Sequence, residues 1–149
     1  MIALLQRVSH ASVSVSGEKI SSINKGLLVL LGIEKNDDAA KADKLVHRML
    51  GYRVFEDEAG KMNLSLRDVG GEILLVPQFT LVADTKSGMR PGFSAAAPPA
   101  EGEKWFDYVL EKSAESLMPV ENAVYAGQFG ANMQVSLLND GPVTFWLQV

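Results

Sequence analysis

Leu27-Leu-Val-Leu-Leu-Gly-Ile33 is an uncharged apolar run of strand length. A run of that kind reads as a central strand covered on both faces. Upstream, Ile2–Val8 is strand-like, and Ala11, Val13 and Val15 alternate with Ser12, Ser14 and Ser16, the period of a half-buried strand. Gly17-Glu18 marks a turn, Ile20–Ile23 returns as a hairpin partner, and Asn24-Lys25-Gly26 reads as a second turn leading into the central run. Downstream, Asn36-Asp37-Asp38 supplies cap residues and acidic first-turn charge. Ala42, Leu45, Val46, Met49 and Leu50 then recur at helical spacing until Gly51 stops the pattern.

Further along, Tyr52–Phe55 reads as a short strand and Glu56–Gly60 as an acidic turn. Glu72–Val82 is a second apolar run, but Pro77 cannot donate to a ladder, so an edge, a bulge or the end of pairing is expected there. Residues 83–99 form a Gly, Pro, Ser and Ala-rich loop, long enough to suggest a function. A helix is predicted from Pro99 to Pro119, with Phe106, Val109, Leu110, Ala114 and Leu117 as its buried stripe and Trp105 and Tyr108 widening it. Met133–Leu138 and Val143–Val149 read as two alternating strands around a tight turn at Asn139-Asp-Gly-Pro142. No repeat or linker interrupts the chain, so residues 1–149 are expected to form one domain. The elements together predict a single α/β domain with a mixed, largely antiparallel, curved and barrel-like sheet and two principal helices.

Composition narrows the chemistry. Among 149 residues, 47% hydrophobic and 21% charged with Gly 13 and Pro 6 describe an ordinary folded chain, able to bury a core without staples. With no Cys and only His10 and His47, there is no thiolate nucleophile, no disulfide framework and too little for an imidazole metal site, which fits the cytoplasm. The N-terminus reaches Arg7 quickly and then alternates with serine, unlike a signal segment or a membrane span. A net charge of -4 argues against a basic face that wraps DNA or long RNA, while a small contact with an RNA end stays compatible. Such an RNA should avoid residues 101–121, where Glu101, Glu103, Asp107, Glu111, Glu115 and Glu121 outweigh Lys104 and Lys112.

The common catalytic toolkits are missing. Neither histidine lies near a Gly-x-Ser-x-Gly elbow, Asp43 and His47 lack a third metal ligand, and no Gly-x-Gly-x-x-Gly is present, so no metal or nucleotide cofactor is expected. Three stretches remain: Gln78-Phe79-Thr80, Lys86–Phe93 and Asn139–Pro142. By residue type alone each has a plain structural reading, as polar strand positions and a core Phe, a solvated loop and an ordinary turn.

Taken together, Gln78-Phe-Thr-Leu81, Gly88-Met-Arg-Pro91 with Phe93, and Met133-Gln-Val-Ser-Leu-Leu-Asn-Asp-Gly-Pro-Val-Thr144 resemble the signature stretches of the D-aminoacyl-tRNA deacylases, also called D-Tyr-tRNA(Tyr) deacylases. Met1–Val8 and Gly60–Leu64 match as well, so the resemblance spans nearly the whole chain. It implies a cytoplasmic C2 homodimer, free of cofactors, with the active site at the subunit interface. The implied reaction is hydrolysis of the ester that joins a D-amino acid to the terminal adenosine of tRNA. Gly141-Pro142 would be a cross-subunit Gly-cisPro motif whose carbonyls face the substrate α-amino group, walling out L side chains, with Arg7 bracing it. Glycine has no side chain to meet that wall, so glycyl-tRNA is an expected substrate too.

By the same resemblance, Gln78, Phe79 and Thr80 line the pocket and their amides hold the oxyanion, while Lys86, Arg90, Phe93 and Met133 receive the tRNA 3′ end. Met133 also suits a core position. One departure stands out: Pro77 occupies a position that is usually Ser in the family, removing a hydroxyl and an N–H. Two catalytic schemes are open, substrate-assisted hydrolysis through the neighbouring ribose hydroxyl and covalent attack by Thr80. Two other functions are open as well, a non-catalytic tRNA-end or nucleic-acid binding dimer inactivated by Pro77, and a general small-ester hydrolase.

Overall fold

In the computed structural model, which describes residues 1–149, the long strand β1 (Ile2–Val15) organises everything around it. On one side it pairs antiparallel with β2 (Glu18–Ile23) and then β3 (Gly26–Gly32). Val8 lies opposite Gly26 and Ala11 opposite Ile23, so the register passes through Asn24-Lys25 without a slip. The predicted second turn is therefore a bend within one long antiparallel partner. Gly26 allows it, because a Cβ there would fall 1.8 Å from the Glu72 carbonyl oxygen.

On its other side β1 pairs along nearly its full length with β8 (Met133–Gln148), from Val15 opposite Met133 to Ile2 opposite Gln148. The expected C-terminal hairpin does not form. A folded-back hairpin would pair its two arms only with each other, whereas a continuous strand pairs both arms with β1 and buries Leu147 at 1% exposure. Asn139-Asp-Gly-Pro142 is absorbed as a bulge rather than a turn.

β6 (Glu72–Pro77) joins β3 in parallel, and β7 (Val124–Ala126), too short to stand out in the sequence, joins β6 in parallel. The order is β2-β1-β3-β6-β7, with β8 on β1. The Ser21 hydroxyl of β2 donates to the Ala126 carbonyl of β7 at 2.9 Å, drawing the two ends of the sheet together. The sheet is thus mixed and nearly closed, as expected.

β3 is covered on both faces. Leu28, with Val8, Val13, Leu74 and Val76, fills the inside of the curve. Leu27, Val29 and Leu31 face α1 (Ala39–Gly51) and α3 (Pro99–Leu117). In α1 the buried set is Ala42, Leu45, Val46, Met49 and Leu50, as the spacing predicted, and Asp38 caps the helix by accepting from the Lys41 amide at 2.9 Å. In α3 the stripe differs: Phe106, Val109, Ser113 and Leu117 are buried, Leu110 is half-buried and Ala114 is exposed. Ser113 fits because its hydroxyl donates to the Val109 carbonyl at 2.7 Å, satisfying itself within the helix. Between α1 and β6 lie β4 (Phe55–Glu56), β5 (Met62–Leu64) and the short α2 (Leu66–Val69), so the strand expected at Tyr52–Phe55 starts later and turns at Asp57–Lys61. No helix is long and apolar enough to cross a membrane.

Candidate active site and the Asn139–Thr144 bulge

The parallel strands β3, β6 and β7 end on the same side, where open α/β sheets commonly bind ligands. A cleft of about 610 Å³ opens there. Leu31, Ile33 and Val76 bring strand ends to it, Gly102 and Phe106 the first turns of α3, and Phe129 the segment after β7. Ala97 donates its amide to the Ile33 carbonyl at 3.1 Å, so the end of the 83–99 loop is docked against the end of β3. The walls are mostly apolar, suiting a planar base or an uncharged side chain.

At the mouth, β6 stops and Phe79–Val82 forms a single 3-10 turn. The Glu72–Val82 run thus splits at Pro77, as a missing N–H requires. The Gln78 amide donates to the Leu31 carbonyl at 2.8 Å, the last bond of the β3–β6 pairing. Amides alternate along a strand, so position 77 faces the β7 side, beyond the last pair, Leu75 opposite Ala126. The Gly127 amide still donates to the Leu75 carbonyl at 2.8 Å, and the β6–β7 ladder ends there because proline at position 77 has no N–H to continue it. Gln78, expected to offer its amide to an oxyanion, has that amide committed to Leu31. The Phe79 and Thr80 amides open the 3-10 turn, whose internal bonding begins only with Leu81 donating to Gln78, so these two are free of backbone acceptors. The Thr80 hydroxyl donates to the Gln78 side-chain oxygen at 2.5 Å.

The other expected residues divide. Gln78, Phe79, Phe93 and Met133 line the cleft. Phe79 and Phe93, 62% and 40% exposed, meet at its mouth with ring centroids 5.2 Å apart. Met133 serves both readings, since it packs on the inner core and lines the cleft. Lys86 and Arg90 sit outside the lining, exposed on a loop pinched by two backbone bonds between Asp84 and Gly92.

Gly141, Pro142 and Arg7 are not in the cleft of the same chain. They form the bulge in β8, where the pairing steps from Val8 opposite Asn139 to Gln6 opposite Thr144. The Gly141-Pro142 bond is cis, and Gly141 has φ +136°, with an added Cβ falling 2.6 Å from Val143 Cγ2. No L side chain fits that conformation. Arg7, 7% exposed, donates through Nε to the Asp140 carbonyl at 3.1 Å and through its terminal nitrogen to the Val54 carbonyl at 2.7 Å. Arg7 thus grips Asp140 and ties the bulge to the chain before β4.

Neither histidine reaches the cleft. His10 is exposed on β1, and His47 lies with Asp43, Arg67 and Lys112 in a separate groove of about 220 Å³. Sequence reasoning missed Gly102, Phe106 and Phe129 as cleft residues. A glycine inside a helix was the available signal: a Cβ at Gly102 would fall 3.1 Å from the Phe129 ring.

Residues 4–148 match the family described as D-Tyr-tRNA(Tyr) deacylase. A D-aminoacyl-tRNA deacylase of Pseudomonas fluorescens is 60% identical over 148 residues, 99% of both chains. One of Aeromonas hydrophila is 58% identical over 149 residues, 100% of both. Among solved structures, a c-Myc DNA Unwinding Element Binding Protein superposes with TM-score 0.95 at 43% identity, covering 100% of this chain and 99% of that one. A probable eukaryotic D-amino acid tRNA deacylase shares the fold, with TM-score 0.85 at 17% identity over 99% of this chain and 98% of the other.

Proposed function

The chain belongs to the D-Tyr-tRNA(Tyr) deacylase family, and on that premise we propose that it hydrolyses the ester of D-aminoacyl-tRNA, freeing the D-amino acid and the tRNA for reuse. The observation that carries this reading is the full-length likeness to deacylases at about 60% identity, with Gln78-Phe-Thr80 and Gly141-Pro142 both intact. Its place of action is the cytoplasm, where tRNA is charged.

In this reading the aminoacyl-adenosine end enters the cleft, the adenine meets the apolar wall near Phe79, Phe93 and Met133, and Lys86 and Arg90 face the phosphates behind it. The scissile carbonyl lies at the 3-10 turn, where the Phe79 and Thr80 amides receive the developing oxyanion. The neighbouring ribose hydroxyl activates water. Substrate assistance is favoured over covalent attack because the Thr80 hydroxyl donates to a carboxamide oxygen and neither histidine is at hand to deprotonate it.

Selection against L substrates comes from Gly141-Pro142 of a second copy. Two observations support a C2 dimer: the bulge lies away from its own chain's cleft, and on the outward face of β8 it is flanked by half-exposed Leu138 and Trp146. A backbone wall excludes one configuration without contacting the other side chain, so many D-amino acids are admitted and glycine passes. The inactive binding dimer is opposed by the Gln78-Phe-Thr80 and Gly141-Pro142 stretches, both of which are whole. Binding of a DNA element, as one neighbour's name describes for that protein, is opposed here by the net charge of -4.

The deciding assay compares D-Tyr-tRNA, L-Tyr-tRNA and Gly-tRNA deacylation by metal-stripped protein, with its mass in solution measured alongside. Release of the D and glycyl esters with the L ester spared, by a dimer, is expected. tRNA binding without release would favour the binding module. Equal release of D and L, or equally ready cleavage of simple esters, would favour a general esterase.

A further inference from the structure

We infer that Asn139 is the positioning residue that fixes the Gly141-Pro142 wall, an inference that rests on the reading of that pair as the chiral selector. Between the rungs Val8–Asn139 and Gln6–Thr144, β1 offers only Arg7 opposite residues 140–143. Val143 thus has no rung of its own on β1. The Asn139 carboxamide takes that place: its Oδ1 accepts from the Val143 amide at 2.9 Å, and its Nδ2 donates to the Val143 carbonyl at 3.1 Å. One side chain thereby makes the paired bonds that a neighbouring strand would make.

The staple is anchored to regular sheet. Nδ2 also reaches Thr144 Oγ1 at 3.3 Å, and that hydroxyl accepts from Gln6 Nε2 at 3.4 Å on the first rung beyond the bulge. Arg7 then grips the inner side through the Asp140 carbonyl. Held at both ends, only Asp140-Gly141-Pro142 projects. A wall that selects by clash works only if it cannot recoil, since about an ångström of give would admit the wrong configuration. The Asn139 bonds span at most five residues, so they order this loop and do not tie distant elements together.

The test is single-turnover deacylation of D-Tyr-tRNA and L-Tyr-tRNA by the full-length wild type and by Asn139→Ala, Asn139→Asp and Pro142→Ala, each checked for folding by circular dichroism. Asn139→Ala is expected to lower the D-to-L rate ratio by roughly tenfold or more. Asn139→Asp, which keeps the acceptor for the Val143 amide and loses both donations, should fall between it and wild type. An Asn139→Ala ratio within about threefold of wild type, whether the two rates hold or drop together, overturns the inference. If Asn139→Ala does not fold, the near-isosteric Asp variant decides: a lowered ratio supports the inference and an unchanged one overturns it. Pro142→Ala separates the two levels. An unchanged ratio there sinks the wall reading itself, whereas a collapsed ratio there with unchanged Asn139 variants sinks only the positioning role.

Discussion

The Pro77–Thr80 stretch and the Asn139–Thr144 bulge both interrupt a strand, but they are held in opposite ways. At Pro77–Thr80 the backbone holds itself: the Gln78 amide finishes the ladder on Leu31, a 3-10 turn follows, and the Phe79 and Thr80 amides are left without backbone acceptors, Phe79 in the cleft lining and Thr80 outside it. In the bulge the backbone cannot hold itself, and side chains replace it, Arg7 from β1 and Asn139 from β8. The first arrangement depends little on particular side chains, because the bonds that hold it are main-chain. The second depends on particular side chains, and that contrast orders the expected effects of mutation.

The largest effect is expected from Arg7→Ala, which leaves the Val54 and Asp140 carbonyls without their donor in a buried site. A stability loss of about 3 kcal/mol in urea unfolding follows from a lost charged bond and unsatisfied acceptors. Arg7→Lys should recover only part of it, since one ammonium lacks the guanidinium's fork. A loss below about 1 kcal/mol would mean that the bulge stands without Arg7.

Gly141→Ala comes next. The positive φ and the 2.6 Å clash with Val143 together should cost about 1–3 kcal/mol, and the displaced wall should raise L-Tyr-tRNA release. A variant as stable and as selective as wild type would show slack in the bulge and erase the contrast.

Thr80→Val removes only a hydroxyl bonded to Gln78, so D-Tyr-tRNA turnover should fall by less than about tenfold, or about 1.4 kcal/mol of barrier. Near-complete loss with an intact fold would restore covalent catalysis. Pro77→Ser should do least, with stability within about 1 kcal/mol and little change in turnover, because it restores at most one N–H at the very end of the β6–β7 ladder. A large gain in rate on that substitution would show that the cleft backbone is not self-sufficient.

The same contrast explains what could be read from the chain. α1 is plain because its five buried residues follow helical spacing and Asp38 and Gly51 mark its ends. The central strand is plain because a run of Leu and Val has no exposed face. Asn24-Lys25-Gly26 and Asn139-Asp-Gly-Pro142 mislead for one reason: turn-forming residues report that the backbone must deviate, and a bend or a bulge uses the same residues as a reversal. Which deviation occurs depends on the partner strand. β1, at 14 residues, is long enough to pair both halves of β8.

The site divides along similar lines. Gln78, Phe79, Phe93 and Met133 were identified through their motifs, and the cleft gathers them. Phe106 and Phe129 carry no such mark, since an aromatic residue in a cleft wall and one in a core have the same sequence environment.

The sequence by itself determined the family, the two main helices, the doubly covered strand and the motif stretches that mark it, because periodicity and motif are local properties of the chain. Tertiary structure alone decided that Asn139–Thr144 is a stapled bulge, that Pro77 ends the β6–β7 ladder and that the Phe79 and Thr80 amides are free of backbone acceptors. Each of these turns on where a backbone N–H or C=O finds its partner, and for these groups the partner is set by strands distant in sequence.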